Sequence, residues 1–257
     1  MKYKISDSKE DCIVYNGHEL HRIIALETLG EVNCGDKGGY IENEGNLSHN
    51  GRAWVFDDAK VYENAIVRDN ARVVNDSMVF GHAIVFGNSM VVDFAKVSGF
   101  ATVAGNCVIE SFAYITDHAG VSGNAIVSEN SRVIGYAKVS GNANVRGFAI
   151  ISDHASVRGN ALIAEHAFVT GVAEVSGPAI VIGNAFVRLN SDYIVFKNWW
   201  SSGRYFTWTR SNNMYNVGCF YGSGEELIKK AYSDFKESGD NYKAIVDYVN
   251  NVVLNKK

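Results

Sequence analysis

The chain has no apolar run approaching the ~20 residues a membrane-spanning helix requires, so no such crossing is expected. Cysteine is scarce: Cys12, Cys34, Cys107 and Cys219 form no C-x-x-C pair and are too sparse to staple a small scaffold, so they read as free thiols. Basic residues are not clustered. With 24 Lys and Arg against 28 Asp and Glu, the formal net charge is −4, and the footprint of a duplex-DNA binder is missing. The first dozen residues, MKYKISDSKEDC, lack the apolar core of a secretory signal, which makes the cytoplasm the expected address. There is one proline. What is present is a 47% hydrophobic chain of 257 residues, too apolar for general disorder and long enough for one large domain or two small ones.

The chain repeats itself. From Ala53, stepping by six, 24 successive residues are small (Ala, Ser or Cys107) and end at Ser191. Two positions later, from Val55 to Val187, all 23 residues are Val or Ile. A short period-2 strand points both inward, and the next two residues turn the chain. The first turn position is Gly in 12 of 23 units and Asp or Asn in six more, types that tolerate positive φ. Such a repeat is a solenoid.

The number of units per circuit follows from which residues stack. Asn70, Asn88, Asn106, Asn124, Asn142 and Asn160 recur every eighteen residues. The other two corner columns are mixed, one with Phe94, Phe112 and Phe148, the other with His82, Phe100, His118, Tyr136 and His154. A repeat of 12 or 24 residues scrambles these columns, so three hexads make one coil of a triangular prism. Eight coils at ~4.8 Å give a rod about 38 Å long. In these hexads the sequence resembles the hexapeptide-repeat, left-handed β-helix proteins. The left hand is implied by that resemblance, because general connection rules favour the opposite one.

Both ends need caps. Residues 1–50 are expected to close the first coil, with CGDKGGY at 34–40 read as a turn and not a phosphate loop. The rod is assigned to residues 51–192. Residues 193–257 form an α+β C-terminal cap: two or three aromatic-rich strands, a helix near 224–237 opened by a capping box at Ser223 and Glu226, and a second helix over 241–253. The whole chain resembles phage- and prophage-encoded long β-helix proteins described as polymer-forming or putative transferases. The resemblance rests on HRIIALETLGEVNCGDKGGYIENEGNLSHNGRAWV at 21–55, the hexads, and VGCFYGSGEELIKKA in the tail. That group carries no activity to transfer.

Hexapeptide-repeat proteins are most often trimeric acyltransferases with a histidine base and acyl-CoA between rods. By that resemblance His118 and His154 are the candidate bases, since a near-neutral pKa suits deprotonation of a hydroxyl or amine. Those enzymes commonly interrupt the helix with a loop that closes the site, whereas these hexads run unbroken. The two histidines also share a column with Phe100 and Tyr136, as side chains stacked for structure would. The γ-class carbonic anhydrases place zinc on three histidines of a similar rod. His82 and His118 have a matching separation, but the third position is Gly123, so neither a metal nor another cofactor is expected. In the tail, Trp200, Tyr205 and Trp208 interleave with Lys197, Arg204 and Arg210, a set that stacks a planar ring while pairing an anion. The same aromatics also suit the core of a small domain poor in aliphatics.

One wall is apolar. Its outward positions include Val74, Met90, Val92, Val108, Ile126, Leu162, Ile180 and Ile182, and eleven of its sixteen positions are apolar, against eight and five on the others. A surface of that size is expected to pack on another subunit or under the C-terminal helices. The sequence reads as an all-β solenoid, self-associating as a dimer or trimer. Its expected role is a non-enzymatic scaffold that captures a small, nucleotide-like ligand or a host protein, and the phage resemblance extends this to countering host defence. An acyltransferase is the alternative.

Overall fold

In the computed structural model, which describes residues 1–255, the hexads build a parallel β-solenoid of about eight turns with three flat walls. Strands β5 to β27 are two residues long and recur every six residues from Trp54–Val55 to Phe186–Val187. Each pairs with the strand eighteen residues away, as Met90 does with Arg72 below and Val108 above. The small residues from Ala53 to Ala185 and every Val or Ile two positions on are sealed in one continuous core, while Ser191 lies beyond it and is exposed. The Asn column is a ladder in which Asn70 Nδ2 donates to Asn88 Oδ1 at 3.0 Å, and four further amides continue it at 2.9–3.1 Å to Asn160. Pro178 ends the column at a corner where no coil lies above, so its missing N–H leaves no acceptor unserved.

Every first turn position from Asp57 to Gly183 has positive φ, including Glu63, Ser111, Glu129 and Glu165, residue types that rarely adopt it. The acids among them, except Glu129, act as acceptors. The corner N–H one coil above has no strand partner, and the carboxylate below reaches it: Glu63 serves Gly81 at 2.7 Å, Asp117 serves Gly135 at 2.9 Å and Glu165 serves Gly183 at 3.0 Å. Asp117→Ala keeps the backbone strain and loses the bond, whereas Asp117→Gly loses only the bond. The alanine variant is therefore expected to have the lower urea midpoint of the two, and the reverse order would contradict this account.

The coil ladder has a direction: strand N–H groups point toward the C-terminal end, as in Trp54 N–H to Ala71 O at 3.1 Å. The first coil is thus left with free carbonyls and the last with free N–H groups, and each cap supplies what is missing. Strands β1 (Tyr3–Ile5), β2 (Cys12–Tyr15), β3 (His18–Ala25) and β4 (Lys37–Ile41) form the lower cap. It offers donors: Lys2 Nζ to Ala53 O at 2.7 Å, Arg22 to Asp57 O at 2.7 Å, Asn46 Nδ2 to Ala65 O at 2.9 Å, and the Tyr40 N–H to Ala59 O at 2.8 Å. The upper cap offers acceptors: Thr207 Oγ1 to the Ile180 N–H at 2.8 Å, Ser211 Oγ to Phe186 at 2.7 Å and Asn190 Oδ1 to Glu174 at 2.7 Å. CGDKGGY is more than a turn, because its second half is β4 lying under the first coil. A Cβ on Gly39 would come within 2.6 Å of Ala59 O, so only glycine permits that approach.

The tail is a four-stranded antiparallel sheet, β28 (Tyr193–Lys197), β29 (Tyr205–Thr209), β30 (Met214–Val217) and β31 (Phe220–Ser223), covered by helices α1 (Gly224–Asp234) and α2 (Lys236–Tyr248). The expected Ser223–Glu226 capping box is present. The helix boundaries differ from expectation: Phe235 is extended, so α1 stops earlier and α2 begins five residues sooner. The alternation of β29 explains the packing. Phe206 and Trp208 face the helices with Tyr215, Leu227 and Val246, while Thr207 faces the rod.

Candidate functional site

The corner histidines are stacking elements. His118 lies between Phe100 and Tyr136 at 5.0 and 4.8 Å, and His154 stacks on Tyr136 at 5.1 Å, with all three pairs within 9° of parallel. Among the described residues no side chain hydrogen-bonds either imidazole. Within the chain, neither imidazole is oriented by a third side chain, the arrangement that activates a nucleophile.

The six tail candidates separate. Trp208 has no exposed surface, and its Nε1 donates to Asn213 Oδ1 at 2.8 Å. It belongs to the core and offers a ligand nothing. Arg210 joins parts of the tail, donating to Ser191 O at 3.3 Å and Val253 O at 3.2 Å with its guanidinium 5.7 Å from the Trp208 ring. Trp200 is half-buried, edge-on to Tyr242 at 4.9 Å. Lys197 is exposed, its ammonium 5.7 Å from the Tyr205 ring. Only Arg204 and Tyr205 line the cleft that opens between the sheet and the two helices.

This cleft, of about 310 Å³, is also lined by Asn198, Phe206, Cys219, Phe220, Lys230, Asp234 and Tyr242. Tyr205, Phe206, Phe220 and Tyr242 supply aromatic surface. Arg204 has no ion-pair partner among the described residues, and Lys230 sits 3.0 Å from Asp234. Asn198 is held from several sides: its N–H donates to Arg204 O and its carbonyl accepts from Gly203, both at 2.7 Å, closing the β28–β29 turn. Its side chain is 7% exposed. Nδ2 donates to the Tyr242 hydroxyl at 2.8 Å, and Oδ1 is buried without a partner. An orphaned amide oxygen costs about 1–3 kcal/mol, which a bound donor would recover. Burial pushes the Tyr242 hydroxyl pKa up, so the phenol keeps its proton at neutral pH and remains a donor.

Sequence reading missed Asn198, Lys230 and Tyr242. Lys230 and Asp234 stand at i,i+4 and Asn198 precedes two tryptophans, spacings that point to no ligand by themselves.

A second cluster lies on the β2–β3 hairpin. Cys12 Sγ is 3.4 Å from Glu19 Oε1, and His21 Nε2 is 3.5 Å from the same oxygen. These donor types suit zinc, but His21 Nδ1 is buried with no acceptor to fix the ligating tautomer. Burial, with Glu19 beside it, also pushes the Cys12 thiol pKa up, away from the thiolate a metal needs. The candidate site is therefore placed in the C-terminal cleft.

No helix among the described residues is long and apolar enough to cross a membrane. Comparison of the chain with protein-family models and with curated proteins found no match.

Proposed function

We propose that the protein is a non-enzymatic, self-associating scaffold that captures a small ligand combining a planar ring with an anionic group, a nucleotide first among such molecules, in the cleft between its C-terminal sheet and helices. The observation that carries this reading is an aromatic cleft lined by Arg204 and Lys230, with the buried, unpartnered Asn198 amide oxygen in its wall. The rings stack a flat base, Asn198 offers an acceptor where the ligand reaches the cleft wall, and Arg204, the cation without an ion-pair partner, pairs the anion. Capture by a phage-encoded protein to counter host defence is the role that the family resemblance adds.

Thermal-shift screening against cyclic and linear nucleotides, followed by mass analysis of retained compound, tests the reading. Arg204→Ala is expected to weaken binding roughly 10–100-fold, the range of one charge-assisted hydrogen bond, without lowering stability. Arg210→Ala should instead lower stability and leave affinity unchanged, since its bonds go to the protein's own carbonyls. Stabilisation by acetyl-CoA with turnover lost on His118→Ala or His154→Ala would replace this reading with the acyltransferase.

A further inference from the structure

The C-terminal helices do not roof the apolar wall. They pack on the far side of the tail sheet, and the tail meets the wall at its last coils, where Thr207 bonds Ile180, Tyr221 reaches Ile182 and the 216–218 turn stands beside both. Val74, Met90, Val92, Val108, Ile126 and Leu162 stay half-exposed. We propose that a second copy of this chain covers the wall in an antiparallel, two-fold arrangement whose axis crosses the rod at the coil of Ile126 and Ser128. This rests on the self-association stated above and goes further by fixing its geometry.

The order of residues along the wall decides between the possible arrangements. Its outward side chains form two columns, one running Arg72, Met90, Val108, Ile126, Asn144, Leu162, Ile180 and the other Val74, Val92, Glu110, Ser128, Arg146, Ala164, Ile182. A face-to-face two-fold axis perpendicular to the rod keeps each column opposite itself and reverses its direction. About Ile126 and Ser128, Met90 then meets Leu162, Val92 meets Ala164 and Val74 meets Ile182, apolar on apolar, while Val108 meets the neutral Asn144 and Arg72 meets Ile180 at the end of the contact.

The two unpaired charges follow the same symmetry. The wall carries three charges. Arg72 is already paired with Glu31, whereas Glu110 and Arg146 have no ion-pair partner among the described residues. They lie two coils apart, ~10 Å along the rod, and do not pair with each other within one chain. Reversal sets Glu110 against Arg146 of the partner subunit, and does so twice. A two-fold axis parallel to the rod exchanges the columns at equal height and buries Glu110 against Val108 and Arg146 against Asn144. Covering an unpaired charge costs far more than a rim contact returns, so the parallel arrangement is excluded.

The ends of the wall are compatible with the antiparallel fit. Residues 29–32 stand at the Asn-ladder edge of its first coils, beside Asn70 and Asn88, and the 216–218 turn stands at the opposite edge of the last coils, beside Phe148 and His166. Under the proposed axis these projections pass on opposite edges and do not collide.

Sedimentation of charge variants tests the geometry. Wild type is expected to be a dimer. Glu110→Arg or Arg146→Glu alone should raise the dimer dissociation constant roughly tenfold or more, because each places like charges together twice, and the double swap E110R/R146E should restore it. Ile126→Cys, at the axis, should cross-link two chains under mild oxidation. A monomeric wild type overturns both the self-association and this geometry. A dimer weakened by Val108→Asp, but neither rescued by the double swap nor cross-linked through Ile126→Cys, overturns the antiparallel axis and leaves self-association through the wall standing.

Discussion

Gly123→Val is expected to destabilise the rod by about 3 kcal/mol or more, while Gly120→Val, three residues earlier, should be neutral or stabilising by about 0.5 kcal/mol. The two glycines differ in every respect that matters. Gly123 occupies a corner at φ +76°, and a Cβ built there lies 2.8 Å from both the nitrogen and the oxygen of Gly141 in the coil above. Those atoms are backbone fixed in a parallel ladder, so they cannot swing aside. A β-branched residue meets both the left-handed penalty and this contact. Gly120 is an outward strand position between Thr102 and Lys138, with no positive φ and no atom within 4 Å of where a Cβ would stand. Valine there gains strand propensity and removes glycine's excess freedom in the unfolded chain. Urea titration of both variants reads the difference. Equal effects would show that the corners are not stacked as tightly as the coil register demands.

The rod was legible because its signal repeats. A single hexad could belong to many folds, but 24 in phase leave one solution, and the Asn column alone fixes eighteen residues per coil. The aspartates at the corners were legible as turn formers and not as acceptors, because the N–H they serve is eighteen residues away and is exposed as a need only once the ladder is built. The tail shows the opposite case. Arg204, Tyr205, Trp208 and Arg210 are close in sequence, yet β29 alternates, and the chain leaves the strand after Thr209. Trp208 is thereby buried among the helices, Arg210 is drawn to Ser191 and Val253, and Arg204 is left at the cleft. Composition marked the segment as suited to a ligand, whereas the partners that complete the site, Asn198, Lys230 and Tyr242, come from a turn and two helices that no local pattern connects.

Stability is expected to rise as pH is raised from about 8 toward 10.5, and the rise should vanish in Lys2→Met. Lys2 is 1% exposed, its ammonium spent on Ala53 O at the open end of the first coil, and burial pushes its pKa down from 10.5 to about 8 against the opposing pull of Glu27. Below pH 8 the amine is protonated in both the folded and the unfolded chain, so the folded rod carries the full cost of a buried cation and stability does not vary with pH on this account. Between pH 8 and 10.5 the unfolded chain binds the extra proton, so stability climbs by up to about 3 kcal/mol. Tyrosines set the upper limit: burial raises the Tyr62 hydroxyl to about 12 and pushes Tyr3 and Tyr215 up as well. Above pH ~10 the unfolded chain releases those protons first, and stability falls. The two opposing slopes predict a maximum near pH 10 for wild type and a flat approach followed by the same fall for Lys2→Met, read from urea midpoints across pH 7–11. A wild-type profile without the rise would mean that water reaches the Lys2 amine and that the lower end of the rod is open.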